Sequence, residues 1–116
     1  MSIPNTTLQK LALEIESQAL GAQHQIASIR TQIASKNREQ RLLRLTISEL
    51  DSLPQDAVLY RGLGKMFTLT NCPNLKEKLR SQNQALESDV NSLTKRLQYF
   101  EKTYHNCQEH MKRMLN

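Results

Sequence analysis

Tryptophan is absent from this 116-residue chain, and aromatic residues make up only 4% of it. A compact core of that size leans on large aromatic and branched side chains, so the shortage argues against a globular domain. Three glycines and three prolines leave little material for loops. No apolar run approaches the ~20 residues of a membrane span. Residues 1–20 lack the continuous apolar core of a secretory signal and carry Glu14 and Glu16. Long blocks of like charge are missing too. Residues 1–44 hold six basic and three acidic side chains, residues 45–74 two and three, and residues 75–116 eight and five. Without a charged arm or aromatics interleaved with the basic residues, neither a nucleic acid nor a membrane is an expected partner. Cysteine is scarce: Cys72 and Cys107 fall in one helical pattern, roughly 50 Å apart at helical rise. A disulfide needs Cα atoms within about 7 Å. Two free thiols fit a reducing compartment, so a soluble, cytoplasmic protein is expected.

What is present is a stripe. Leu75, Leu79, Leu86, Val90, Leu93, Leu97, Phe100, Tyr104, Cys107, Met111 and Met114 follow steps of four and three, alternating from Leu79 onward, with polar Asn83 in the slot between Leu79 and Leu86. That is a coiled-coil seam, predicting a helix over 73–115 with Pro73 in its first turn. Toward the N-terminus, Leu8, Ala12, Ile15, Ala19, Ala22, Ile26, Ile29 and Ile33 make a second seam, which continues through Lys36 and Gln40 to Leu43. Its helix is expected over about 5–44, capped within Asn5-Thr6-Thr7. Thr46 and Glu49 have capping-box spacing. They predict a break, then a short helix and connection over 45–54 ended by Pro54.

Between the stripes, residues 57–70 read as a strand, a tight turn and a strand. Helices of similar length joined this way run back past each other, giving an antiparallel coiled coil. Pairing Leu8 with Met111, Ala12 with Cys107, Ile15 with Tyr104 and Ala19 with Phe100 aligns every layer without overhang and sets Lys36 against Asn83. A shift of seven residues matches almost as well.

Gly64-Lys65 suits a two-residue type II′ turn, which pairs Leu63 with Met66, Gly62 with Phe67 and Tyr60 with Leu69. Val58, Tyr60, Phe67 and Leu69 then share a face, and Gly62 leaves room beside the Phe67 ring. Leu59, Leu63 and Met66 make the opposite face apolar as well. A lone hairpin is marginal in water, and one with two apolar faces and two open edges calls for strands from other chains. Closure into an intersubunit β-barrel is the natural solution. The expected fold is therefore mostly α: a long antiparallel coiled coil whose central hairpin, including Val58, Tyr60, Gly62, Gly64, Phe67 and Leu69, serves assembly.

Catalysis finds no foothold. His24, His105 and His110 form no i, i+4 metal pair, and there is no phosphate-binding glycine loop, Cys-x-x-Cys pair or nucleophile elbow. No enzyme activity, metal or cofactor is expected, and Tyr104 and Cys107 belong to the seam.

The run Tyr60-Arg61-Gly62-Leu63-Gly64-Lys65-Met66-Phe67, set between the two helices, resembles the hairpin core of β-type prefoldin subunits. Leu45-Thr46 with Glu49, and Glu101 with Arg113-Met114-Leu115, add to the likeness, whose layout covers nearly the whole chain. The resemblance implies a heterohexamer of α-type and β-type prefoldin subunits on a double β-barrel platform. Its coiled-coil tips would hold unfolded proteins such as actin and tubulin and deliver them to the cytosolic group II chaperonin without using ATP. At a free end the seam runs out of partner layers, leaving Leu8, Leu11, Met111, Met114 and Leu115 partly uncovered. Methionine adapts to varied apolar surfaces, so these five are the expected client-binding residues. The competing readings are a coiled-coil spacer or tether, with polar helix ends, and a subunit of another prefoldin-like assembly.

Overall fold

A seam repeating every seven residues buries one narrow stripe of each helix and leaves the rest to solvent, and the burial pattern follows it. The computed structural model describes residues 5–54, 58–63 and 66–115; of residues 58–63 and 66–72 the backbone is described. Helix α1 spans Asn5–Asp51, strand β1 Val58–Leu63, strand β2 Met66–Asn71 and helix α2 Cys72–Leu115. Every α1 residue that is not fully exposed keeps the four-three spacing, through the expected seam from Leu8 to Leu43 and beyond it to Ile47 and Leu50.

The strands pair antiparallel, with Tyr60 opposite Leu69, Gly62 opposite Phe67 and Leu63 opposite Met66, the expected register. The turn at Gly64-Lys65 lies outside the described residues.

The chain divides into two units, residues 1–33 with 92–116 and residues 34–91. In the first, Ile29 is wholly buried and Ala22, Leu93 and Cys107 nearly so. Gln23 Nε2 donates to the Tyr104 hydroxyl at 2.9 Å, Arg30 pairs with Glu101 at 3.2 Å, and the Cys107 thiol lies 4.0 Å from Gln18 Oε1. In the second, Leu50 and the polar Gln40 are buried, Lys36 reaches Asp89 at 3.4 Å, and Lys76 donates to Asp51 at 2.9 Å.

These pairs correct the expected alignment. Cys107 sits beside Gln18 rather than Ala12, and Tyr104 beside Gln23 rather than Ile15. Lys36 is held by Asp89, so the Lys36–Asn83 layer is not formed. Within each unit the partners lie about one heptad from the no-overhang alignment, as in the seven-residue shift. The overhang costs the chain little, because a seam is equally continuous after such a shift and a terminal layer contributes little. Asn83 consequently keeps a buried Oδ1 with no hydrogen-bond partner among the described residues, a cost of about 1–3 kcal/mol.

A second correction concerns Thr46. The helix runs unbroken through Leu45–Glu49 to Asp51, where a break and a separate short helix were expected. Thr46 Oγ1 bonds back to the Leu42 carbonyl at 2.9 Å, so its hydroxyl serves the helix interior instead of capping a new start. The end comes where Ser52 N–H and Oγ both donate to the Glu49 carbonyl and Leu53 N–H to that of Leu50. This tight last turn precedes Pro54, which cannot continue a helix.

Asp51 ends α1, where bare carbonyls disfavour a carboxylate, and Lys76 stands in the first turns of α2, where amides disfavour a cation. Their pairing offsets both. The hydrogen bond from Lys76 is the main reason the Asp51 carboxyl titrates below its usual value, opposed by desolvation and aided by the charges of Lys76 and Arg80. A lowered folded-state pKa means the contribution is complete above the unfolded value, about 3.9, and fades as pH falls through the folded value. A side-chain carboxyl titration by NMR should find Asp51 below that reference and Lys76→Met should raise it; an unmoved midpoint would remove the clamp from the account.

Candidate functional site

An antiparallel pair must end somewhere, and at its last layer apolar side chains lack half their neighbours. Here that end joins the start of α1 to the finish of α2. Asn5 opens the helix on the N-terminal side. Lys112 and Arg113 occupy the last turn of α2, where cations suit the exposed carbonyls.

Leu8, Ala12, Met111, Met114 and Leu115, with Gln9, line an open hollow of about 190 Å³. Leu8, Met111 and Met114 are half-buried, whereas Leu115 is 80% exposed. Of the five residues singled out from the sequence, four meet in this hollow. Leu11 does not line it and stands 40% exposed. Ala12 and Gln9 were not expected there. The heptad shift explains Ala12: it lies by Met114 instead of Cys107 and forms part of the hollow's wall. Reading the seam in the shifted register would have found it.

The arrangement offers adaptable apolar contact and no reactive group. Two flexible thioethers, two leucines and an alanine present almost no polar atoms; Lys112 and Arg113 lie between the two methionines in sequence and do not line the hollow. Among the described residues no three His, Cys, Asp or Glu side chains are grouped to hold a metal ion. Cys107 is a buried free thiol and Tyr104 is occupied by Gln23, as seam residues should be. Among the described residues no helix is long and apolar enough to cross a membrane.

Of the residues expected to serve assembly, Val58, Tyr60, Gly62, Phe67 and Leu69 fall in the paired strands. Gly64 lies outside the described residues.

Comparison with known proteins agrees with this architecture. The model of the prefoldin subunit family matches residues 13–116. A probable prefoldin subunit 1 of Schizosaccharomyces pombe is 31% identical over 107 residues, covering 92% of this chain and 96% of the relative. Prefoldin subunit 1 of Homo sapiens is 23% identical over 108 residues, with 93% and 88% covered. Among solved structures, the prefoldin beta subunit from Thermococcus strain KS-1 superposes with a TM-score of 0.86 over 99% of this chain and 96% of its own; at 20% identity that likeness concerns the fold. The two long helices, the central hairpin and the match over residues 13–116 have one reading: the chain belongs to the prefoldin subunit family, on its β-type side.

Proposed function

We propose that this chain is a β-type subunit of a heterohexameric prefoldin, a co-chaperone that holds unfolded proteins at the ends of its coiled coils. Its hairpin joins those of α-type and β-type partner subunits in a shared β-barrel, and its apolar helix ends contact the client. Actin and tubulin chains are the proposed clients, passed to the cytosolic group II chaperonin. Neither nucleotide nor metal takes part.

The observation that carries this reading is the hollow lined by Leu8, Met111, Met114 and Leu115, with Leu115 80% exposed. Contiguous apolar groups left in water on a small protein mark an interaction site, and thioethers repack against unlike surfaces. A spacer or tether has no use for them. Family membership supports the partner subunits.

Purification of the tagged chain from its own cells, with identification of every stoichiometric partner, tests the proposal. Five further prefoldin-type chains, at least some of α-type, should accompany it, and the complex should suppress aggregation of denatured actin. Recovery without other prefoldin-type chains would refute it.

A further inference from the structure

The described residues contain a second apolar concavity, in the unit of residues 34–91, that the proposed client site does not use. A groove of about 430 Å³ runs between α1 and α2, floored by Leu42, Leu43, Ala85 and Leu86 and rimmed by Glu39 and Asp89. Leu43 and Leu86 are half-buried seam residues. Leu42 is not part of the seam and stands 59% exposed.

A single exposed leucine is ordinary. This one lines a concave surface of the size that takes ligand side chains, beside other aliphatic groups. Both charged groups lining the groove are carboxylates: Glu39 forms no ion pair among the described residues, and Asp89 is 56% exposed, with one oxygen held by Lys36. Arg38, Arg41 and Arg44, close by in sequence, do not line it.

We infer that this groove docks an amphipathic helix of a different protein chain, one that presents aliphatic side chains flanked by lysine or arginine. The aliphatic groups seat on Leu42, Leu43 and Leu86, in the manner of helix-in-groove recognition. The flanking cations meet Glu39 and the open oxygen of Asp89, which selects a basic edge over an acidic one. The surface is separate from the hollow at Met111 and Met114, so one can fail without the other.

Two stapled helical peptides test this, identical in their leucines but edged with lysine in one and glutamate in the other, each carrying a benzophenone. They are presented to the full chain in its native assembly, and crosslinks are mapped by mass spectrometry. The lysine-edged peptide should crosslink at Leu42, Thr46 or Leu86, in at least about tenfold higher yield than the glutamate-edged one. Glu39→Lys with Asp89→Asn should remove that preference. Leu42→Asp, at an exposed position, should abolish both crosslinks with helicity unchanged, and Met111→Ser with Met114→Ser should leave them intact. Equal yields from the two peptides, or crosslinks only around Met111 and Met114, would overturn the inference. So would self-association of this chain that Leu42→Asp abolishes, since that assigns the groove to a second copy.

Discussion

Phe67→Asp is expected to abolish assembly of this chain with its partner subunits while leaving both helices formed. Residue 67 lies in β2, directly opposite Gly62, and neither α1 (Asn5–Asp51) nor α2 (Cys72–Leu115) contains it. The side-chain stripes that build the two helical units are therefore untouched. An isolated hairpin is marginal, so its order depends on what covers it. In the proposed barrel an uncompensated carboxylate at residue 67 costs several kcal/mol, on top of about 1.5–3 kcal/mol for the phenyl burial that the barrel would supply. Either amount is large against the stability of a subunit contact. Far-UV circular dichroism should change little, and light scattering after co-expression should show the complex gone. A complex that survives the substitution would refute the barrel role of the hairpin.

The second large effect is expected at the other candidate surface. Met111→Ser with Met114→Ser should preserve assembly and weaken capture of unfolded chains by on the order of tenfold or more, given two aliphatic contacts at roughly 1 kcal/mol each. Both side chains are half-buried, so some helix-end fraying will accompany the change; Ile29, Leu93 and Cys107 still hold that unit together. The assay is suppression of light scattering by denatured actin at fixed complex concentration. Unchanged suppression would remove these methionines from the client site. Lys112→Glu with Arg113→Glu in the same assay tests the charge contribution: a loss of capture that shrinks as sodium chloride is raised is electrostatic.

Much of this architecture was legible because both helices carry their burial pattern openly. The positions expected to face inward on α1, from Leu8 to Ile33 and on through Lys36, Gln40 and Leu43, are all withdrawn from water, and the structure adds Ile47 and Leu50 beyond them. The strand register could be read because a two-residue turn leaves one pairing once its position is chosen.

What stayed hidden has physical causes. A heptad pattern is unchanged by a seven-residue slide, so seam spacing could not choose between Tyr104 against Ile15 and Tyr104 near Gln23. What distinguishes the two in the structure is the set of partners met by long polar side chains such as Gln23, Arg30 and Lys36, which a list of apolar positions leaves out. Thr46 misled because threonine followed three residues later by glutamate describes both a cap and an ordinary helical turn, and only the direction of the hydroxyl bond separates them. The groove at Leu42 was invisible for a similar reason. Leu42 is off the seam, and its meaning depends on the residues of α2 that come to lie beside it.

The central claim is that the hairpin strands Val58–Leu63 and Met66–Asn71 are completed by strands of other chains. Native mass spectrometry tests it most directly, on the purified chain alone and then mixed with α-type and β-type partner subunits. Alone, the account predicts a heterogeneous, aggregation-prone species; with its partners, a single hexamer. A well-ordered monomer at micromolar concentration, indifferent to those partners, would contradict it.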